Sequence, residues 1–176
     1  MKTLGTPRMI LRPWEEDDLL DLYEYAKEDD VGINAGWLKH NSIEESKIIL
    51  DSFIKEKEVY AIVLKEKNKV IGSLGIHHLS LADDEREIGF VLGKPYWNQG
   101  LMTEAVKKVI DYVFNETKIN ILWCSHFSFN HRSQRVIEKS GFSYYNEKMK
   151  LIKQIDEVLK VCTYILRREQ YLEKSK

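Results

Sequence analysis

A strand-like run, Glu87-Ile88-Gly89-Phe90-Val91-Leu92, leads within a few residues into Pro95-Tyr96-Trp97-Asn98-Gln99-Gly100-Leu101-Met102-Thr103-Glu104-Ala105, where a tight turn opens directly into an amphipathic helix. The first N–H groups of a helix lack carbonyl partners, and the aligned peptide dipoles make the same end positive, so this turn suits a phosphate. Gly100 allows close approach of the backbone to an anion, and Thr103 offers a hydroxyl. The stretch has neither the Gly-Lys-Ser/Thr of a Walker loop nor a Gly-x-Gly-x-x-Gly dinucleotide turn. His77 and His78 end the preceding strand, and alternation turns only one of them toward a given face. Cys124 and Cys162 lie far apart in apolar surroundings without a Cys-x-x-Cys partner, so they read as small core residues rather than a zinc or redox pair.

The elements that must position this turn follow from periodicity. Residues 6–13 read as a short strand closed by Pro13, which cannot donate to a sheet ladder. Acidic residues 15–18 suit a helix N-terminus, and Leu19, Leu22, Tyr23 and Ala26 recur at helical spacing. Residues 29–41, with two glycines and no clean period, read as a loop. Ser42-Ile43-Glu44-Glu45 matches a capping box opening a helix to about residue 55. Three strand-like runs cover 59–64, 70–77 and 85–92, and Gly72 and Gly75 mark a bulge or a close backbone neighbour in the second. After the helix from Gly100, residues 119–124 read as a buried strand. Asn130 caps a short helix that Gly141 ends in left-handed geometry. Residues 142–145 and 158–166 read as the last strands, and the charged end from 167 is expected to fray.

A chain of 176 residues, 43% hydrophobic and 31% charged, with no repeat or linker, reads as one α/β domain. Its 27 basic residues nearly match its 28 acidic ones, so bulk charge favours neither a nucleic acid nor an anionic membrane. No run approaches the about 18 apolar residues of a membrane span, residues 1–7 do not resemble a secretory leader, and a reducing cytoplasm is the default compartment.

Tyr96-Trp97-Asn98-Gln99-Gly100-Leu101-Met102-Thr103-Glu104-Ala105 resembles the pyrophosphate loop of the GNAT acetyltransferases, in particular the branch of the bacterial ribosomal-protein N-terminal acetyltransferases. Thr6-Pro7-Arg8-Met9-Ile10-Leu11-Arg12-Pro13 is similar to that branch's opening strand. Asn130-His131-Arg132-Ser133-Gln134-Arg135-Val136-Ile137-Glu138-Lys139-Ser140-Gly141-Phe142 is similar to its late helix and Gly-Phe turn. The likeness spans residues 6–168, which the resemblance makes the catalytic domain, with 169–176 as a tail.

The resemblance implies a mixed, mostly antiparallel sheet with two splayed strands, flanked by helices. It implies transfer of an acetyl group from acetyl-CoA to a primary amine, without a metal. The cofactor chain would lie along Phe90, Val91 and Leu92, and its pyrophosphate on the N–H groups of Gln99, Gly100, Leu101, Met102 and Thr103. Asn130 matches an asparagine contacting the cofactor, and Ser133 a position close to its sulfur. An attacking amine must be neutral, and Glu87 matches a glutamate on this strand that takes its proton, directly or through water. The oxyanion donor is expected from backbone near Val91. Two departures stand out: Trp97 fills a slot where relatives place a cation or glutamine, and Ile137 a slot where many keep an acidic tyrosine, which leaves Ser133, four residues earlier, to face the sulfur. The acceptor is left open between a protein N-terminus and a small amine such as a polyamine or antibiotic, with loops at 29–41 and 146–157 as its pocket. A non-catalytic acyl-CoA-binding module is the alternative, and a homodimer is left open. Direct nucleic-acid binding is not expected.

Overall fold

Val59–Leu64 (β3) is buried at every residue because its side chains alternate into two separate cores. Tyr60, Ile62 and Leu64 enter one, while Ala61 and Val63 enter the other. The computed structural model describes residues 1–79 and 83–174. The remaining strands are β1 (Leu4–Gly5), β2 (Met9–Arg12), β4 (Lys69–His78), β5 (Glu85–Leu92), β6 (Ile121–Phe127), β7 (Ser143–Ile152) and β8 (Glu157–Arg167). The helices are α1 (Leu19–Ala26), α2 (Asp29–Ala35), α3 (Ile43–Glu56), α4 (Leu101–Glu116), α5 (His131–Lys139) and α6 (Arg168–Lys174).

One sheet holds the strands in the order β1-β2-β3-β4-β5-β6-β8-β7. Every neighbouring pair is antiparallel except β5 and β6. A parallel pair needs a long crossover, and α4 is that crossover. Its stripe Leu101, Met102, Ala105, Val106, Val109, Ile110, Val113 and Phe114 is buried in the first core. Residues of α1 and α3 fill the second, with Trp14, Leu22, Tyr25 and Leu50 as its largest members.

The expected splay is present. β5 pairs with β6 only from Glu85↔Ile121 to Ile88↔Cys124, whereas β4 stays with β5 up to Leu92. Gly89 to Leu92 therefore border an open wedge. Gly93 N–H donates to the Ile71 carbonyl at 2.8 Å, so the pleat turns the backbone groups of Val91 and Gly89 toward β4. Those of Phe90 and Leu92 then face the wedge. Val91, near which the oxyanion donor is expected, has its own N–H and C=O on the ladder side.

Several boundaries differ from the pattern reading. Residues 29–35 form α2 rather than a loop: Asp29 and Asp30 open it, and Gly36 ends it at φ 84°. Its length of seven residues is too short to show a period. Residues 146–157 belong to the β7–β8 hairpin, not to a loop. β7 is an exposed edge strand whose alternation is blurred by a register shift between Tyr144 and Asn146. Residues 168–174 of the charged end are helical, held by Tyr171, which packs 5.4 Å from Phe114 and donates to Asp111. Ser42 accepts from Glu45 N–H, as a capping box requires, but Glu45 reaches back to Asn41 N–H. A Cβ at Gly72 would sit 2.3 Å from the Val91 carbonyl, which makes it the close backbone neighbour anticipated above.

Candidate active site

The turn after β5 is fixed by backbone conformation. Asn98 has φ 59° and Gly100 φ 75°, left-handed values that swing the chain sharply into α4. The ladder of α4 begins with Glu104 N–H donating to the Gly100 carbonyl at 3.1 Å. The N–H groups of Leu101, Met102 and Thr103 precede that ladder and point out of the helix end.

Two cations missed by the motif reading stand beside this turn. Arg132 on α5 lies 4.0 Å over the Trp97 ring. The indole N–H of Trp97 donates to the Leu92 carbonyl at 2.6 Å, so Trp97 is a fixed platform that presents a guanidinium. Thus the slot lacks a cation in sequence but not in space. Arg8 buttresses the turn from outside: its Nη1 donates to the Gln99 carbonyl at 2.9 Å and its Nε to Glu104 at 2.7 Å. Glu104 also accepts from Thr6 Oγ1 at 2.6 Å and Arg8 N–H at 3.0 Å. Burial opposes ionisation of Glu104, yet these hydrogen bonds hold its carboxyl below the usual carboxylate range.

Around the turn lies a cleft of about 400 Å³. It is lined by Phe90, Val91 and Leu92 of β5, by Gly100, Leu101, Met102 and Thr103, and by Asn130, Arg132 and Ser133. Gln99 is outside the lining; its amide donates back to the Pro95 carbonyl at 2.8 Å, and its own carbonyl is held by Arg8. The lining is long, mixed in polarity and cationic at one end, which fits a chain-like molecule with a pyrophosphate. Asn130 is buried, with a partner for each polar atom of its side chain: its Oδ1 accepts from Ser133 N–H at 3.1 Å, and its Nδ2 donates to the Asn34 carbonyl at 3.1 Å. It therefore ties α5 to α2. The other end of α2 is held by an ion pair between Asp30 and Lys94. These links make α2 a wall of the cleft.

A second cleft of about 390 Å³ opens on the far side of the same wedge. Phe90, Val91, Asn34, Ala35 and Ser133 line both spaces, so the two meet beside Ser133. Glu87 lies in the second cleft and accepts from Ser125 Oγ at 3.2 Å. His77, opposite Glu87 in the β4–β5 register, faces the same space, whereas His78 is largely exposed. Ile137 is wholly buried in the core and lines neither cleft, so it does not share Ser133's outlook. The i, i+4 relation misleads there because α5 packs its apolar side down and turns Ser133 partly sideways. Cys124 lies on the neighbouring strand β6, opposite Ile88, and burial pushes its thiol up, which removes it as a nucleophile. Among the described residues no cluster of His, Cys, Asp and Glu is placed to hold a metal, and no helix is long and apolar enough to cross a membrane.

The model of the GNAT acetyltransferase domain matches residues 8–143. N-acetyltransferase p20 of Bacillus licheniformis is 29% identical over 125 residues, covering 68% of this chain and 70% of that protein. The acetyltransferase of the GNAT family from Bacillus anthracis superposes with a TM-score of 0.88 at 23% identity, over 96% of this chain and 99% of its own. The ribosomal-protein-S5-alanine acetyltransferase from Vibrio fischeri superposes with a TM-score of 0.78 at 18% identity, over 97% and 99%. At these identities the two structures speak for the fold, and the domain match speaks for the family: the chain belongs to the GNAT acetyltransferases, which use acetyl-CoA.

Proposed function

We propose that the two clefts divide the labour of an N-acetyl transfer, acetyl-CoA lying in the first and a primary amine in the second. The observation that carries this reading is their meeting at Ser133 along the β5–β6 wedge. Acetyl-CoA supplies the acyl group as a thioester, an activated form that an uncharged amine attacks. The N–H groups of Leu101, Met102 and Thr103, with Arg132, hold its pyrophosphate. Phe90 and Leu92 offer backbone groups to its chain, though the Leu92 carbonyl is already engaged by Trp97.

Glu87 takes the proton of the bound ammonium, directly or through a water. Ser125 fixes one carboxylate oxygen and leaves the other open to the cleft. Phe90 N–H is the donor for the oxygen that gains charge during attack. Ser133 hydrogen-bonds the departing sulfur, which leaves as the thiol with the second proton, lost by the nitrogen as the amide forms. Amine-dependent release of coenzyme A thiol tests the reading against an acyl-CoA-binding module, which would bind acetyl-CoA and release nothing.

Two substitutions refine it. Arg132→Ala is expected to weaken acetyl-CoA binding by about three- to tenfold, more at low salt, since an exposed cation is screened. Calorimetry at two ionic strengths checks this. Ser133→Ala is expected to slow turnover by about ten- to a hundredfold, one hydrogen bond to a charged group, with cofactor affinity little changed. Normal turnover under saturating substrates, with chemistry rate-limiting, would reduce Ser133 to a packing residue of α5.

A further inference from the structure

Taking the second cleft as the acceptor site, as above, we infer that its acceptor is a small primary monoamine with an apolar, aromatic-sized body, and that it discriminates against polyamines. Charge is the first argument. Among the described residues, Glu87 is the one carboxylate lining the cleft, and Lys150 brings an ammonium to its β7 side. The nearby carboxylates are committed elsewhere. Glu58 lies 3.4 Å from His77 Nδ1 and 3.8 Å from His78 Nε2 outside the lining, and Glu85 accepts the Trp123 indole N–H at 2.6 Å. One positive charge of a polyamine meets Glu87. The others enter a partly enclosed space without partners, and Lys150 repels them.

Shape is the second argument. Phe53 of α3, Phe127 of β6 and Trp37 of the segment between α2 and α3 reach the cleft, and each is backed by another ring. Trp37 rests 5.3 Å from His40, Phe53 5.5 Å from Trp14, and Phe127 5.6 Å from Phe129. Such fixed rings favour an apolar body at little entropic cost. One side is bridged: a Cβ on Gly36 would lie 2.9 Å from Phe127 and 3.4 Å from Ile152, so the end of α2 packs against both β6 and β7. A volume of about 390 Å³ walled by fixed rings suits a small apolar body.

The test is a panel of phenethylamine, tyramine, isoamylamine, spermidine and an octapeptide with a free N-terminal alanine. Thiol release is measured at saturating acetyl-CoA, and amine binding to the coenzyme A-loaded protein by calorimetry. An apolar monoamine is expected to exceed spermidine and the peptide in kcat/KM by at least about tenfold, the effect of about one unmatched charge. Lys150→Glu is expected to shift the spermidine-to-phenethylamine ratio of kcat/KM toward spermidine by about tenfold. A purely structural role for Lys150 would instead lower both rates together. Preference of the unsubstituted enzyme for spermidine or the peptide overturns the inference while leaving the acetyltransferase reading intact. So does a protein that binds acetyl-CoA but neither binds nor acetylates any monoamine of the panel. Absence of acetyl-CoA binding would remove both.

Discussion

Gly100→Asp is expected to abolish acetyl-CoA binding, a loss of more than about a hundredfold in affinity. A carboxylate placed there enters the positive end of α4, where the N–H groups of Leu101, Met102 and Thr103 are aimed. Gly100 has φ 75°, so any side chain adds strain of about 1–2 kcal/mol, too little to account for lost binding in a folded protein. Gly100→Ala separates the two effects. Its Cβ would meet nothing closer than Arg8 Nη2 at 3.7 Å, an ordinary contact, so Ala carries the strain without the charge. Calorimetry should therefore find binding weakened in Gly100→Ala and lost in Gly100→Asp. Equal affinities in both folded variants would mean that the pyrophosphate lies elsewhere.

Glu87→Gln is expected to lower the turnover rate by about a hundredfold or more near neutral pH. Glutamine retains the shape and still accepts from Ser125, so the β4–β5–β6 register should be undisturbed. The sign of the pH dependence follows from the acceptor. An aliphatic ammonium titrates near about pH 10, so a base is needed most at neutral pH and least in alkali. The deficit should shrink as pH rises. A deficit constant from neutral to alkaline pH would assign Glu87 to positioning the amine rather than deprotonating it.

The parts of this site legible in sequence are those encoded by contiguous residues. The Asn98 to Thr103 turn, the capped α5 and the strand bearing Glu87 each carry their own local signal, a glycine, a cap or an alternation. The stripe of α4 was equally readable, since one period sufficed. What escaped depends on partners distant in the chain. Arg132 reaches Trp97 across 35 positions, and Arg8 reaches Gln99 across 91. Nothing in either segment marks such a meeting. The wall α2 was hidden because two turns of helix held by Asp30–Lys94 and Asn34–Asn130 need no amphipathic pattern. β7 was cut short because an exposed edge strand has no buried face to alternate. Ile137 shows the converse failure: spacing placed it beside Ser133, and packing took it into the core.

Amide shifts of the ¹⁵N-labelled protein titrated with coenzyme A locate the cofactor residue by residue. The largest shifts are expected at Phe90 and Leu92, whose backbone groups face the wedge, and at Gly100 to Thr103, with smaller changes at Asn130 and Ser133. Val91 and Gly89, turned onto the β4 ladder, should move less than Phe90. Shifts clustered away from the wedge, with Phe90 and the start of α4 unmoved at saturation, would contradict this placement of the cofactor.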